Sequence, residues 1–203
     1  MDYISLHNHS TFSIGDSIIK PSDLFKKTKE LGQTAVAITD HGTLAGVWDC
    51  LKASRSTEVK FIVGCEVYFT ENAVDNPNSP LHHLILIAKN ATGYRNLLTI
   101  NKLGFDDDRR IVAFKKAISR VDWKLLEEYH EGLICTSACG NGIIGQAIMS
   151  NNDDLAKKSV KRFKDIFGDD FALELQAHNL VLDVLKLLTH IIWFQKNIRI
   201  KMF

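Results

Sequence analysis

Short, unbroken apolar runs separated by helix-length stretches constrain this chain most. Thr34–Ile38 (Thr-Ala-Val-Ala-Ile), Leu84–Ala88 and Gly132–Thr136 show almost no polar alternation. Apolar runs of about four to eight residues are typical of strands buried on both faces. Helix signals fill the intervals. Pro21 with Ser22 opens a helix that runs to Leu31 and stops at Gly32, proline early and glycine late. Further strands read at Tyr3–Leu6, Lys60–Phe69 and Phe171–Gln176. Further helices read from Leu44 to Ala53, Ala91 to Leu103, Asp122 (as cap) to Tyr129, Asn141 to Met149, Asn152 to Phe167 and Val181 to Phe194. Asn72–Pro80, with two prolines and three asparagines, is a surface loop, and Gly104–Arg120 a charged connector. Repetition of strand, loop and helix predicts an α/β fold with a mainly parallel sheet, open or closed into a barrel. In such folds the site lies beyond the C-terminal ends of the strands.

At 203 residues the chain fits one large domain or two small ones and can bury a real core. Its 25 basic and 24 acidic residues give a net charge of +1, so no global field draws it to nucleic acid. The four cysteines form no Cys-x-x-Cys pair, and Asp2 and a His-x-His motif occupy the place of a signal peptide. These features predict free thiols in a reducing, cytoplasmic setting. No uncharged apolar run reaches the roughly 18 residues that a membrane span needs.

The chemistry-bearing residues gather at the strand ends. In His7-Asn8-His9, two imidazoles two residues apart on an extended segment project to one side. Asp16, Thr39-Asp40-His41-Gly42, Gly64-Cys65-Glu66 and His82-His83 follow, and Cys139 and His178 lie just past strand ends. Any one of these histidines alone reads as an ordinary core or surface residue. Together they are too many ligands for one tetrahedral ion. Mixed imidazole and carboxylate ligands suit a cluster of zinc, manganese or iron ions, and such clusters hydrolyse phosphoesters. His82 rivals His83 if the strand register slips by one. Cys65 and Cys135 read as core, His178 as a rim residue, and Asp40 as a group that orients an imidazole. Arg109-Arg110 and Lys115-Lys116 read as parts of a solvated connector.

These segments resemble the polymerase and histidinol phosphatase (PHP) domain, in the branch found at the N-terminus of bacterial DNA polymerase III alpha subunits. The stretches that carry the resemblance are Leu6-His7-Asn8-His9-Ser10, Ala37-Ile38-Thr39-Asp40-His41-Gly42, Ile62–Tyr68 and His83–Asn90. Gly93–Leu97, Gly132–Cys139 and Leu173–Gln176 extend it to about Asn179. The resemblance implies a single domain over residues 1–203, folded as a distorted TIM-like barrel of seven strands, with a divergent tail over 180–203. It implies metal ligands at His7, His9, Asp16, His41, Glu66, His83 and Cys139, holding up to three divalent ions. It also implies phosphoesterase or 3′–5′ exonuclease chemistry on a DNA 3′ end, in a replicative polymerase context and away from membranes. Members that have lost their ligands act as scaffolds.

Two departures qualify the resemblance. The family closes this domain with Asn-Asp-x-His, which supplies its last two ligands. This chain has no such motif; Asn197–Met202 resembles the strand that precedes it, and the polymerase palm, fingers and thumb do not follow. Gly15 and Ser17 flank Asp16 where the family favours Leu and Gly. Besides the metal-dependent phosphoesterase, two other readings stay open: an inactive structural module, and a free-standing phosphatase of the histidinol-phosphate type.

Overall fold

The computed structural model describes residues 3–113 and 116–176, with the backbone of residues 201 and 202. In chain order the elements are α1 (Pro21–Glu30), β1 (Ala35–Ile38), α2 (Val47–Thr57), β2 (Lys60–Phe69), β3 (His82–Ala88) and α3 (Ala91–Gly104). Then come β4 (Ile111–Ala113), β5 (Lys116–Ile118), α4 (Trp123–Tyr129), β6 (Leu133–Thr136), α5 (Ile143–Met149), α6 (Asp153–Phe167), β7 (Phe171–Leu173) and β8 (Lys201–Met202). The expected helix over Val181–Phe194 and the rim position of His178 lie outside the described residues. No described helix is long and apolar enough to cross a membrane.

Six strands form one sheet in the order β1-β2-β3-β6-β7-β8. Pairs β1–β2, β6–β7 and β7–β8 are parallel, but β3 runs antiparallel to both β2 and β6. The mainly parallel sheet expected from sequence is therefore a mixed one. The local reason is the connection between β2 and β3. A parallel return needs a crossover, usually a helix, and the segment over residues 70–81 contains none. The Tyr3–Leu6 segment is not a full strand. It lies beside β1 through a single parallel bridge, Ser5 to Val36, and the Ala37 amide donates to the Ser5 carbonyl at 2.9 Å. Among the described residues no backbone pairing joins this segment to β8 to close the sheet into a barrel.

Three departures at element ends have simple causes. Helix α2 starts at Val47 rather than Leu44, because Leu44–Gly46 form the turn in front of it and the Val47 amide bonds the Leu44 carbonyl. Strand β3 starts at His82, so both histidines are inside it. Strand β7 is shorter than expected and stops at Leu173.

Strand alternation sorts the side chains into layers. On β2, Val63, Cys65, Val67 and Phe69 face outward, into a core built with β3, β6, β7 and helices α3–α6. A second cluster places Phe25, Cys50 and Ala53 of α1 and α2 against Val36 and Ile38 of β1. The inner face carries a third cluster. Ile85, Ile87 and Ala138 pack with Leu6, Ile62 and Ile134 as an apolar floor. Above this floor the same inward positions change from aliphatic to Glu66, Tyr68 and His83. Cys50, Cys65 and Cys135 are buried and unpaired, as expected for core thiols.

Candidate metal centre

Glu66 is the hub. Its side chain is 1% exposed, and it projects inward from β2 into a ring of imidazoles. Oε2 lies 3.2 Å from His7 Nε2, 3.0 Å from His9 Nε2 and 3.2 Å from His41 Nδ1. Oε1 lies 2.9 Å from His83 Nδ1. His7 and His9 bring their Nε2 atoms within 3.2 Å of each other. Ligands bound at about 2.0–2.1 Å in a tetrahedral site stand roughly 3.3 Å apart. The triangle of His7, His9 and Glu66 therefore has the edges of one face of such a site.

His7 and His9 reach this point because the Asn8 side chain between them is tied to the backbone. Asn8 Nδ2 donates to the Ala37 carbonyl at 2.9 Å, and the Thr39 amide donates to the Asn8 carbonyl at 2.8 Å. This anchors the segment to β1 and its C-terminal extension. His41 follows that extension, and its backbone bridges to Glu66 in parallel register. His83 is the inward residue of the His82-His83 pair. It is opposite Tyr68, whereas His82 is opposite the core residue Phe69 and is buried on the outer face.

Cys139 arrives through a strained turn. Ala138 sits in the left-handed region at φ 56°, which costs a side-chain-bearing residue about 1–2 kcal/mol. Gly142 has no room for a Cβ, which would stand 2.2 Å from the Ser137 carbonyl oxygen. The turn is hooked to β3 by the His83 amide, which donates to Asn141 O at 3.1 Å. Cys139 Sγ then stands 3.4 Å from His83 Nδ1 and 3.9 Å from Glu66 Oε1. Asp16 is the loosest member. Its side chain is 47% exposed, and Oδ2 is 3.7 Å from His41 Nε2 and 3.9 Å from His9 Nδ1. All seven side chains singled out in the sequence thus meet at one place.

Asp40 does not touch an imidazole, contrary to expectation. It accepts from the Ser10 amide at 2.6 Å, Ser10 Oγ at 2.7 Å and Ser13 Oγ at 3.0 Å. It acts on the imidazoles through Ser13. The single Ser13 proton goes to Asp40, and the His41 amide already donates to Ser13 Oγ at 3.0 Å. The 3.2 Å contact between His9 Nδ1 and Ser13 Oγ therefore requires the proton on Nδ1, and turns Nε2 toward Glu66 Oε2. Glu174 does the same for His7. Its Oε1 is 2.7 Å from His7 Nδ1, and its Oε2 accepts from Thr136 Oγ1 at 2.8 Å. Glu174 and Ser13 were not foreseen as site residues. The strand expected over Phe171–Gln176 encloses Glu174; the shorter β7 leaves it just past the strand end.

The electrostatics follow from this crowding. Burial disfavours the Glu66 anion, but hydrogen bonds from His7, His83 and His9 overcome that and hold it far below the usual carboxylate range. Burial also works against the His7 cation, yet its bonds to Glu174 and Glu66 raise its pKa to about 10. Contacts with Cys139 and then Glu66 raise His83 to about 9. Burial lowers the pKa of His41. Its Nδ1 is buried without a hydrogen-bond partner, although it points toward a carboxylate oxygen. That orphaned lone-pair site, in a ring of imidazoles around one carboxylate, fits divalent cations. Three overlapping groups keep their ligand atoms within 4.8 Å of one another: His7, His9 and Glu66; His9, Asp16 and His41; His41, Glu66 and His83.

The DNA polymerase III subunit alpha of Aquifex aeolicus is 41% identical over 192 residues, taking in 88% of this chain and 16% of that protein. The same subunit of Borreliella burgdorferi is 38% identical over 183 residues, 88% of this chain and 15% of that protein. The chain therefore spans about a sixth of the length of these relatives. Among solved structures, an amidohydrolase from Chromobacterium violaceum shares the fold, with a TM-score of 0.58 at 14% identity, covering 98% of this chain and 84% of that one. The family model of the PHP domain matches residues 5–178, a span that contains every strand-end motif described above, and the chain belongs to the PHP domain family.

Proposed function

We propose that this chain is a metal-dependent phosphoesterase domain that removes nucleotides from a DNA 3′ end, as part of a replicative polymerase of the DNA polymerase III alpha type. The observation that carries this reading is the sharing of Glu66. One buried carboxylate faces His83 through Oε1 and His7, His9 and His41 through Oε2. A carboxylate that divides its oxygens between two sets of imidazoles is suited to bridge two ions. His7, His9 and Glu66 would hold one. His83, Cys139 and the other Glu66 oxygen would hold a second, with His41 and Asp16 at the open side. Divalent ions supply Lewis acidity and neutralise charge on a phosphoryl group. The chain's own residues do the positioning. Glu174 and Ser13 hold the Nδ1 protons of His7 and His9, so that both Nε2 lone pairs face inward. The apolar floor of Ile85, Ile87 and Ala138 seals the site from below.

The test is metal content together with 3′–5′ exonuclease activity on single-stranded DNA in manganese or zinc. His9→Ala is expected to lower both metal affinity and turnover by at least about 100-fold. A metal-free wild-type protein whose residual activity ignores that substitution would overturn the reading. One observation favours a second reading, a structural module without turnover: the exposure of Asp16 and its long distances to His41 and His9. That reading predicts bound metal but no hydrolysis of any phosphoester.

A further inference from the structure

The open side of the cluster leads into a cleft of about 660 Å³. Pockets of about 300–1,000 Å³ hold one drug-sized ligand, so there is room for a nucleotide but not for a stack of paired bases. Asp16, His41 and His83 are on its wall, so it ends at the candidate metal centre. Much of the remaining wall is apolar or aromatic. Phe12 and Ile14 come from the loop before α1, Tyr68 from β2, Phe105 from the end of α3 and Ile118 from β5. Ile14 is 76% exposed and Phe105 37%, an unusual degree of apolar surface to leave beside a polar site. Among the described residues lining the cleft, Lys116 is the one lysine or arginine. It rises from hairpin β4–β5, and its Nζ lies 3.4 Å from the Ile14 carbonyl oxygen on the loop that carries Asp16. The ammonium thus spans the mouth.

We infer that this cleft selects the substrate: it takes the terminal unpaired nucleotide of a single strand, and Lys116 grips the phosphate next to the one presented to the cluster. The inference rests on the phosphoesterase reading and adds the residues that choose the substrate. Aromatic walls accept any base, because every base has a π face to stack. A lysine is a point charge that asks for no particular geometry, so the grip carries no sequence preference. A single cation matches a single further phosphate. That favours a diester chain over a lone monoester, which brings no second phosphate to the ammonium. A paired duplex end offers no free terminal base to these walls.

Binding tests the inference separately from catalysis. The probe is a short 5′-labelled oligothymidylate with a cleavage-resistant terminal phosphorothioate, followed by fluorescence anisotropy on the full chain in manganese. Lys116→Ala is expected to weaken binding about tenfold and to flatten the slope of log Kd against log salt by about 0.7, one phosphate's share on a single strand. Lys116→Arg keeps both within about twofold. Phe105→Ala weakens binding about tenfold without changing the salt slope. Lys52→Ala, on the surface of α2 beside Asp49, serves as the neutral control. A blunt duplex of the same length binds at least about tenfold more weakly than the single strand. An unchanged Kd and slope in Lys116→Ala, or a duplex bound as tightly as a single strand, would overturn the inference. The phosphoesterase reading fails on a different result, the absence of hydrolysis of either DNA or bis(p-nitrophenyl) phosphate by the wild-type protein.

Discussion

At the residue scale, the decisive groups are those that aim the ligands. Glu174 is half of a carboxylate–imidazole pair, and it is itself held by Thr136 Oγ1 and by Gln176 Nε2, which donates to Oε1 at 2.7 Å. Partners of this kind raise ligand basicity and fix ring orientation, and their loss costs about 10–100-fold in metal affinity. Glu174→Gln keeps the size and loses the charge. It is expected to lower metal affinity within that range, read by competition with a chelator, while the thermal stability of the metal-free protein changes little more than for other polar substitutions. Affinity equal to wild type would show that His7 needs no anionic partner. The candidate ligands were legible in the sequence because they are chemically conspicuous and most lie at or beside strand-like runs. Glu174 shares the position but lacks the signal. A glutamate beside leucines is common, and only the approach of His7 from the other end of the chain gives it a role. Ser13 was hidden for the same reason, since its meaning depends on where a single hydroxyl proton goes.

At the scale of elements, apolar periodicity located the strands and helices on which the site is built. It failed between Gly104 and Val121, where charge suggested a solvated connector. The segment is a hairpin with a buried root. Arg120 is 1% exposed, and its guanidinium donates to the carbonyls of Arg109, Ala73, Asn76 and Pro77. Arg109 is also buried and pairs with Asp122 at 2.8 Å, the carboxylate that caps α4 through the Leu125 amide. A local pattern could not show this, because three of the four carbonyls that satisfy Arg120 come from a loop more than forty residues away in sequence. The same root carries the strand that bears Lys116. Arg120→Met leaves several buried carbonyls without a donor and is expected to cost roughly 3–5 kcal/mol. In a chain of this size that lowers Tm by about 6–20 °C. Oligonucleotide binding is expected to fall with it, while metal uptake per folded molecule is retained. Loss of metal together with the hairpin would instead mean that the root supports the cluster directly.

At the scale of the whole molecule, the site links folding to protons and, on the proposed function, to metal ions as well. His7 and His83 have pKa values raised to about 10 and about 9, above the 6.5 of a free imidazole. Their contribution to stability is complete below pH 6.5 and is lost as pH rises through those values. Glu66 and Glu174 are lowered from 4.5, so their contribution is complete above that pH and is lost as pH falls. The metal-free protein is therefore expected to be most stable between about pH 5 and 6.5 and to weaken steadily toward pH 9. On the proposed function divalent ions would take the place of ring protons, and the loaded protein is expected to show no such alkaline decline. Loading also releases protons, and apparent metal affinity rises with pH through the same window. At a free metal concentration about 100 times Kd, the added stability is about 2.7 kcal/mol, worth roughly 5–10 °C in Tm. Thermal scans with manganese and with a chelator, at intervals from pH 6 to 9, test this directly. The gap between the two curves is expected to widen as pH rises; parallel curves would mean that protons and metals do not compete for the same ring nitrogens.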